Sequence, residues 1–379
     1  MKILYIHTDF IDAPTPASTF LINRTMSLAS NHADVILIAQ VKKEFDAKKL
    51  LEKRFGIKEH LSGLKVIFSS KGTADLYQQC KTICIQEKPD VLYTRSLKML
   101  PKLLHLKKLC NAKVFFESHD YYMNLFQRTD ISKFKNLKNF FRERLFLSKT
   151  DGLVCMNTAQ KNLYQKHLAI PIISLSSGIL TEENKGLIEP YGKKVLAYIG
   201  ALDPRKKIPQ IIHLMKFLPP HYELIIFGGK TEEEITHFNQ LIKSQLLEKR
   251  VFITGWLTRQ QMHERLKTVS LGLIPLEESF FNQHLTYPLK LSDYYKFNIP
   301  VLTNHFPSAF DYLSEGETGL FVDWDDYEST KNKILSLLED EALYKKMQGE
   351  IQHFKEQNSI KINGQKLIQF FKGKGDVCS

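Results

Sequence analysis

Short apolar runs recur along the chain, separated by longer polar or mixed stretches. The first half carries "KILYIH", "DVILIAQ", "KVIFSS", "DVLYTR", "KVFFES" and "GLVCMN"; the second carries "KVLAYIG", "YELIIFG", "VFITG", "LGLIPL", "PVLTN" and "GLFVD". Each run is rich in Val, Ile, Leu or Phe and apolar on both faces, the pattern of buried parallel strands. Helical patterns such as Ser96–Cys110 and Arg259–Lys267 lie between them. Strand–helix alternation predicts parallel sheets with helices on both faces. The polar stretch "GILTEENKGLIEPYGKK", Gly178 to Lys194, separates the two sets as a linker. The expectation is an α/β protein of two doubly wound domains, residues 1–182 and 193–352, facing each other across a cleft. A last helix within 353–379 is expected to pack back towards the first domain. In such sheets ligands collect outside the carboxyl ends of the strands, so the cleft is the natural site.

One helix poses a chemical question. "YPLKLSDYYKFNIPVLTN", Tyr287 to Asn304, reads as a helix and a short strand. Pro288 suits the first helical position, and Asn298 is a stop with Pro300 just beyond it. Lys290 and Asp293 are three apart and share a face near the N-terminus. A solvated lysine and a surface carboxylate would explain them, and so would an anionic ligand with hydroxyls.

Charge sharpens the picture. The net charge is +12, and residues 1–180 hold 28 Lys and Arg against 15 Asp and Glu, so the whole excess sits in the first half. A one-sided basic field attracts nucleic acid, acidic lipid or an acidic substrate. No run of ~18 apolar residues is present to span a membrane. "MKILYIHTDF" meets Asp9 too early for a signal peptide. Five cysteines fit no zinc or disulfide framework and read as reduced structural thiols, which points to the cytoplasm.

The predicted strand ends carry chemistry. In the first half they present His7-Thr8-Asp9, Arg95, Glu117-Ser118-His119-Asp120 and Asn157. In the second they present Gly200 with "ALDPRKK", Phe227-Gly228-Gly229, Gly255-Trp256 and Glu277-Glu278. In order and spacing, "YIGALDPRKKIPQII", "ELIIFGG", "VFITGWLTRQQMHERL", "LGLIPL", "YPLKLSDYYKFNIPVL" and "EGETGLFV" resemble the donor-binding half of GT-B glycosyltransferases, specifically the retaining family 4. "KPDVLYTRS", "VFFESHD" and "SKTDGLVCMNTAQKNL" are similar to the acceptor-binding half.

The resemblance implies two Rossmann-like domains and a nucleotide-sugar donor. On it, the backbone N–H groups of Leu289 and Lys290 and the Lys290 charge meet the diphosphate, and Asp293 meets the ribose. Gly200, Gly228 and Trp256 line the donor side. Arg205 and Lys206 neutralise the leaving diphosphate, and His119 approaches the transferred sugar. Arg95, Glu117 and Asp120 fall on the acceptor side. The chain departs from the family pattern at Asp293 (usually Glu), Leu285 (often Glu), Ala201 (usually basic), Lys207 (usually Gly) and in the glycine-poor loop of Pro14, Pro16, Ala17 and Ser18.

Other motifs narrow the reading. No G-x-x-x-x-G-K-[ST] occurs, and no G-x-G-x-x-G follows the first strand, which argues against a P-loop nucleotidase and a dinucleotide dehydrogenase. Asp323 and Asp325 form a D-x-D, but in a loop before a helix, where Asp325 or Asp326 reads as an N-cap; no metal is assigned. The basic segment "SKFKNLKNFFRERLFLSK", Ser132 to Lys149, reads either as an interfacial helix on anionic lipid or as a core-packed helix with a solvated basic face. No nucleic-acid recognition module is visible.

The expected activity is retaining, metal-independent and cofactor-free transfer of a sugar from a nucleotide donor. The acceptor is an anionic glycan or lipid-linked intermediate of bacterial surface polysaccharide or glycolipid synthesis, with the protein cytoplasmic or peripheral at the inner membrane face. The alternatives are a non-catalytic GT-B-like binding subunit and a GT-B-fold sugar-nucleotide epimerase.

Overall fold

The computed structural model describes residues 1–12, 15–41, 63–69, 73–128, 131–179, 191–203 and 206–373. The chain forms two units, Met1–Gly178 with Asn358–Ser379, and Ile179–Gln357.

The first unit is a parallel sheet of β1 (Lys2–Phe10), β2 (Asp34–Gln40), β3 (Leu64–Ser69), β4 (Val91–Thr94), β5 (Lys113–Glu117), β6 (Gly152–Cys155) and β7 (Ile172–Ser174). The order is β3-β2-β1-β4-β5-β6-β7, so the direction of winding reverses between β1 and β4, where such folds place ligands. β1 pairs with β4 only from Ile3 to Ile6, and its register with β2 shifts between Ile6 and Phe10. The strand end carrying His7 therefore leaves β4.

The second unit contains β8 (Val195–Ile199), β9 (Glu223–Phe227), β10 (Val251–Ile253), β11 (Leu271–Ile274), β12 (Val301–Thr303) and β13 (Gly319–Phe321). They are parallel in the order β10-β9-β8-β11-β12-β13, with the switch between β8 and β11. The two parallel sheets with flanking helices are the α/β architecture that the apolar runs predict.

The unit boundaries differ from the sequence expectation for a packing reason. The helix Glu341–Gln357 stays with the second unit through its last turn, where Phe354 meets Tyr295 at 5.5 Å. Only the following helix, Ile360–Phe371, belongs to the first unit. Its Phe370 and Phe371 rings lie 5.4 and 4.5 Å from Phe115, and Asn31 Nδ2 donates to the Lys361 carbonyl at 2.8 Å. The central part of the expected linker, residues 180–190, lies outside the described residues.

The helix Leu289–Lys296 is held on its sheet by Tyr294. The Tyr294 hydroxyl donates to the Ala197 carbonyl at 2.9 Å, and its ring covers Gly272, where a Cβ would fall 2.7 Å from ring carbons. Pro288 takes the N-cap rather than the first helical position. Asn298, at φ +54, ends the helix in the left-handed conformation that suits this residue.

Candidate functional site

In the first unit His7, Arg95 and His119 stand at the carboxyl ends of three neighbouring strands, β1, β4 and β5. Burial, and then the Arg95 guanidinium, push the His7 imidazole down to about 3 and that of His119 to about 4. Both rings are therefore neutral near neutral pH. Arg95 itself is half-buried and donates from Nη1 to the Ala17 carbonyl at 3.3 Å.

Glu117 is a correction to the sequence reading. It does not face an acceptor: both it and Arg24 are 1% exposed, and Arg24 Nε donates to Oε2 at 3.2 Å. The Tyr93 and Tyr5 hydroxyls also donate to Oε2, and His119 Nε2 lies 2.8 Å from Oε1. Burial alone would raise this carboxyl, but Arg24 and His119 outweigh it and hold it well below the usual carboxylate range. Glu117 thus positions His119 rather than binding a ligand. Asp120 keeps 43% exposure, yet its oxygens already serve Arg128 Nη1 at 2.6 Å and the Tyr122 hydroxyl at 2.9 Å. Asn157 caps the helix Thr158–Gln165 through Gln160 N–H at 2.8 Å.

Arg24 is missed by a reading that looks only at strand ends. Its signal is present in "PASTFLINRTMSLA": the helix Pro16–Ala29 contains this one charge and no other. A lone charge in an otherwise uncharged helix needs a buried partner.

In the second unit the ends of β8 and β9 nearly touch. A Cβ at Gly228 would lie 2.1 Å from the Gly200 carbonyl oxygen, and Gly200 itself adopts φ +152 beneath the Tyr198 hydroxyl. Here Lys290 extends its Nζ to 4.2 Å from the Tyr198 ring centroid. Burial pushes the Lys290 ammonium down to about 7, and the charge of the exposed Lys206 adds to the shift. No carboxylate pairs with either lysine among the described residues. Pro288 offers no side-chain cap, and among the described residues nothing accepts from the N–H groups of Leu289 and Lys290 at the start of this eight-residue helix. Lys290, the Tyr198 ring and the start of this helix thus share one place, with the Lys206 charge near enough to act on Lys290. Tyr198 is the participant that the sequence reading did not single out.

Asp293 turns elsewhere. Its Oδ1 accepts from Arg259 Nη2 at 3.2 Å and from His263 Nε2 at 3.0 Å, both on the helix Arg259–Leu266. Lys290 and Asp293 do not meet across the helix face. Oδ2 of Asp293 receives no bond from the described residues. Trp256 follows β10 with 63% of its surface exposed and the Lys230 ammonium 5.5 Å from its ring centroid. Leu285, where the family pattern often has Glu, is buried. Arg205 lies outside the described residues.

Lys207 adopts φ +58, a left-handed conformation that explains why glycine is the usual residue there. Its Nζ lies 2.6 Å from Asp325. The D-x-D carboxylates are thus accounted for within the fold: Asp325 pairs with Lys207, Asp323 accepts from Asp325 N–H at 3.0 Å, and Asp326 is the cap that bonds Ser329 N–H at 3.0 Å. Among the described residues no three His, Cys, Asp or Glu side chains form a metal-holding group. Cys80, Cys84, Cys110 and Cys155 are free thiols, and burial pushes Cys80 up to about 12.

Residues 181–354 match the family described as glycosyl transferases group 1. Among solved structures, Anabaena Alr3699/HepE in complex with UDP is similar at a TM-score of 0.73 and 15% identity, covering 98% of this chain and 100% of that one. Sucrose-phosphate synthase from Thermosynechococcus elongatus gives 0.70 and 15%, covering 98% of each chain. TarM gives 0.72 and 13%, again covering 98% of each. No curated protein sequence matches significantly. The chain therefore has the fold of the GT-B glycosyltransferases, and its residues 181–354 match glycosyl transferases group 1.

Proposed function

We propose that this protein is a retaining, metal-independent glycosyltransferase that uses a nucleotide-diphosphate sugar and a glycan or lipid-linked acceptor of bacterial surface polysaccharide or glycolipid synthesis. The observation that carries the reading is Lys290 and Lys206, two lysines with no carboxylate partner among the described residues, beside the start of the helix Leu289–Lys296, whose cap Pro288 makes no side-chain bond. Cations and helix-N-terminal amides are the groups that hold a diphosphate. They also stabilise it as it leaves with the electron pair of the glycosidic bond. Oδ2 of Asp293 is the remaining acceptor for a ribose hydroxyl. Arg205, in the same "DPRKK" segment of the sequence, is a further candidate cation for the leaving diphosphate. His119, neutral and fixed by Glu117, orients a hydroxyl of the sugar, while Arg95 and Asp120 serve the acceptor. HepE has been solved with UDP-glucose, which supports UDP-sugars as the first donors to test.

A second reading, a GT-B-fold binding subunit, is favoured by the buried Leu285 where the family pattern often has Glu. The deciding experiment combines calorimetry of nucleoside diphosphates with product analysis on a panel of nucleotide sugars. Binding with release of the free diphosphate supports transfer. Binding without turnover supports the subunit, an isomerised donor supports an epimerase, and no binding of any diphosphate sinks all three.

A further inference from the structure

We propose that the helix Lys133–Phe146 is a docking surface for an anionic lipid bilayer. Phe134, Leu137, Phe141 and Leu145 are spaced three and four apart and so share one face. That face is turned to solvent, with exposures of 78, 42, 52 and 54%. Phe126, 88% exposed, sits in the adjoining loop, which the helix holds through Asn136 Nδ2 donating to the Leu125 carbonyl at 2.8 Å. These are five of the twelve exposed large apolar side chains among the described residues. A contiguous apolar stripe of this kind marks an interaction surface.

Charge identifies the partner. Lys133, Lys135, Lys138 and Arg144 are exposed on the same helix. Its one acidic residue, Glu143, is fully buried, so the exposed charged side chains of the helix itself are all positive. A second copy of this face would bring like charges together, and nucleic acid would leave the phenylalanines uncovered. An anionic bilayer takes both parts: headgroups meet the cations, and the rings enter the acyl boundary. The helix lies in the interface plane, since no helix among the described residues is long and apolar enough to cross a membrane.

The buried side of the helix ties this surface to the candidate site. Glu143 Oε2 accepts from Tyr122 N–H at 2.7 Å, three residues beyond His119. A docked helix holds the His119 strand end beside the lipid headgroups. This last step rests on the transfer reading and selects a lipid-linked acceptor; the docking itself does not depend on it.

The test is co-sedimentation of the full chain with vesicles of phosphatidylcholine alone or mixed with phosphatidylglycerol, without donor or acceptor. Binding is expected on the anionic vesicles only, weakening as salt rises. Changing Lys133, Lys135 and Lys138 to Gln is expected to lower partitioning about fivefold for each charge removed. Phe134→Ser with Phe141→Ser is expected to abolish it, with the melting temperature unchanged. Equal binding to both vesicle types, no binding to either, or wild-type binding by both variants overturns the proposal. So does a dimer that the Phe variant dissociates while vesicles remain unbound. Phe134→Trp gives a readout free of folding questions: its emission shifts to the blue with anionic vesicles, and an unshifted emission from vesicle-bound protein also overturns the assignment. Failure of transfer assays alongside sound vesicle binding would sink the activity and leave the docking surface standing.

Discussion

Nε2 of His119 lies 2.8 Å from Oε1 of Glu117, whose other oxygen is held by Arg24. The carboxylate is ionised and only accepts, so the proton must sit on His119 Nε2. Nδ1 is left as a lone-pair acceptor, with no bond from the described residues. His119 therefore offers a fixed, neutral acceptor for a hydroxyl, not a positive charge.

Acid is expected to destabilise the first unit through His119 and His7. Their ordinary value is 6.5, and the folded values are about 4 and about 3. Between these values the unfolded chain binds more protons than the folded one, so stability falls as pH drops from about 6.5 towards 4. Denaturant titrations across that window measure the slope. His119→Asn and His7→Asn are each expected to flatten it, and an unchanged slope in both would show that the histidines are not its source.

Glu117→Gln is expected to cost ~3–5 kcal/mol, because it leaves the Arg24 guanidinium buried without a counter-charge. Removing both charges with Arg24→Met and Glu117→Gln is expected to recover part of the loss, a coupling that a double-mutant cycle isolates. Strict additivity of the two single losses would refute the pairing as the cause.

The parallel sheets were legible because fully buried strands leave continuous apolar runs, and every run quoted above became a strand. His119 and Lys290 stand out as candidates in the sequence because strand ends and helix starts are where this fold presents chemistry. Their surroundings were not. The partner of Asp293 is Arg259, 34 positions away, and the partner of Glu117 is Arg24, 93 positions away. Sequence spacing reports which residues share a helix face, as Lys290 and Asp293 do, but not which neighbouring element each side chain then meets.

Glu143→Gln is expected to stabilise the protein at pH 8 and to change little near pH 4.5. Burial raises the Glu143 carboxyl from 4.5 to about 8, against the hydrogen bonds from Tyr164 and Tyr122. The folded chain thus binds more protons than the unfolded chain between those values, and stability from this group declines as pH rises through them. Gln does not ionise and still accepts from Tyr122 N–H. Melting curves at the two pH values decide the matter. A variant less stable at pH 8 would mean that the ionised carboxylate is the favoured form.

Nucleoside-diphosphate binding is expected to weaken as pH rises above about 7, through Lys290. Burial and Lys206 lower this ammonium from 10.5 to about 7, so the unliganded protein holds it partly neutral. Between 7 and 10.5 the folded chain binds fewer protons than the unfolded one, and stability from this group rises with pH. A bound diphosphate reverses the preference by favouring the charged form. Binding above pH 7 therefore takes up about one proton per ligand, and affinity falls by at most about tenfold per pH unit. Calorimetry in buffers of different ionisation heat measures that uptake directly. Lys290→Arg keeps the charge at all these pH values and is expected to bind without the slope. Lys290→Met is expected to lose ~1.5–3 kcal/mol of affinity with the lost charge-assisted contact, yet to melt higher than the wild type at neutral pH when unliganded. Wild-type affinity that is flat from pH 7 to 9, with no proton uptake, would place the diphosphate away from Lys290.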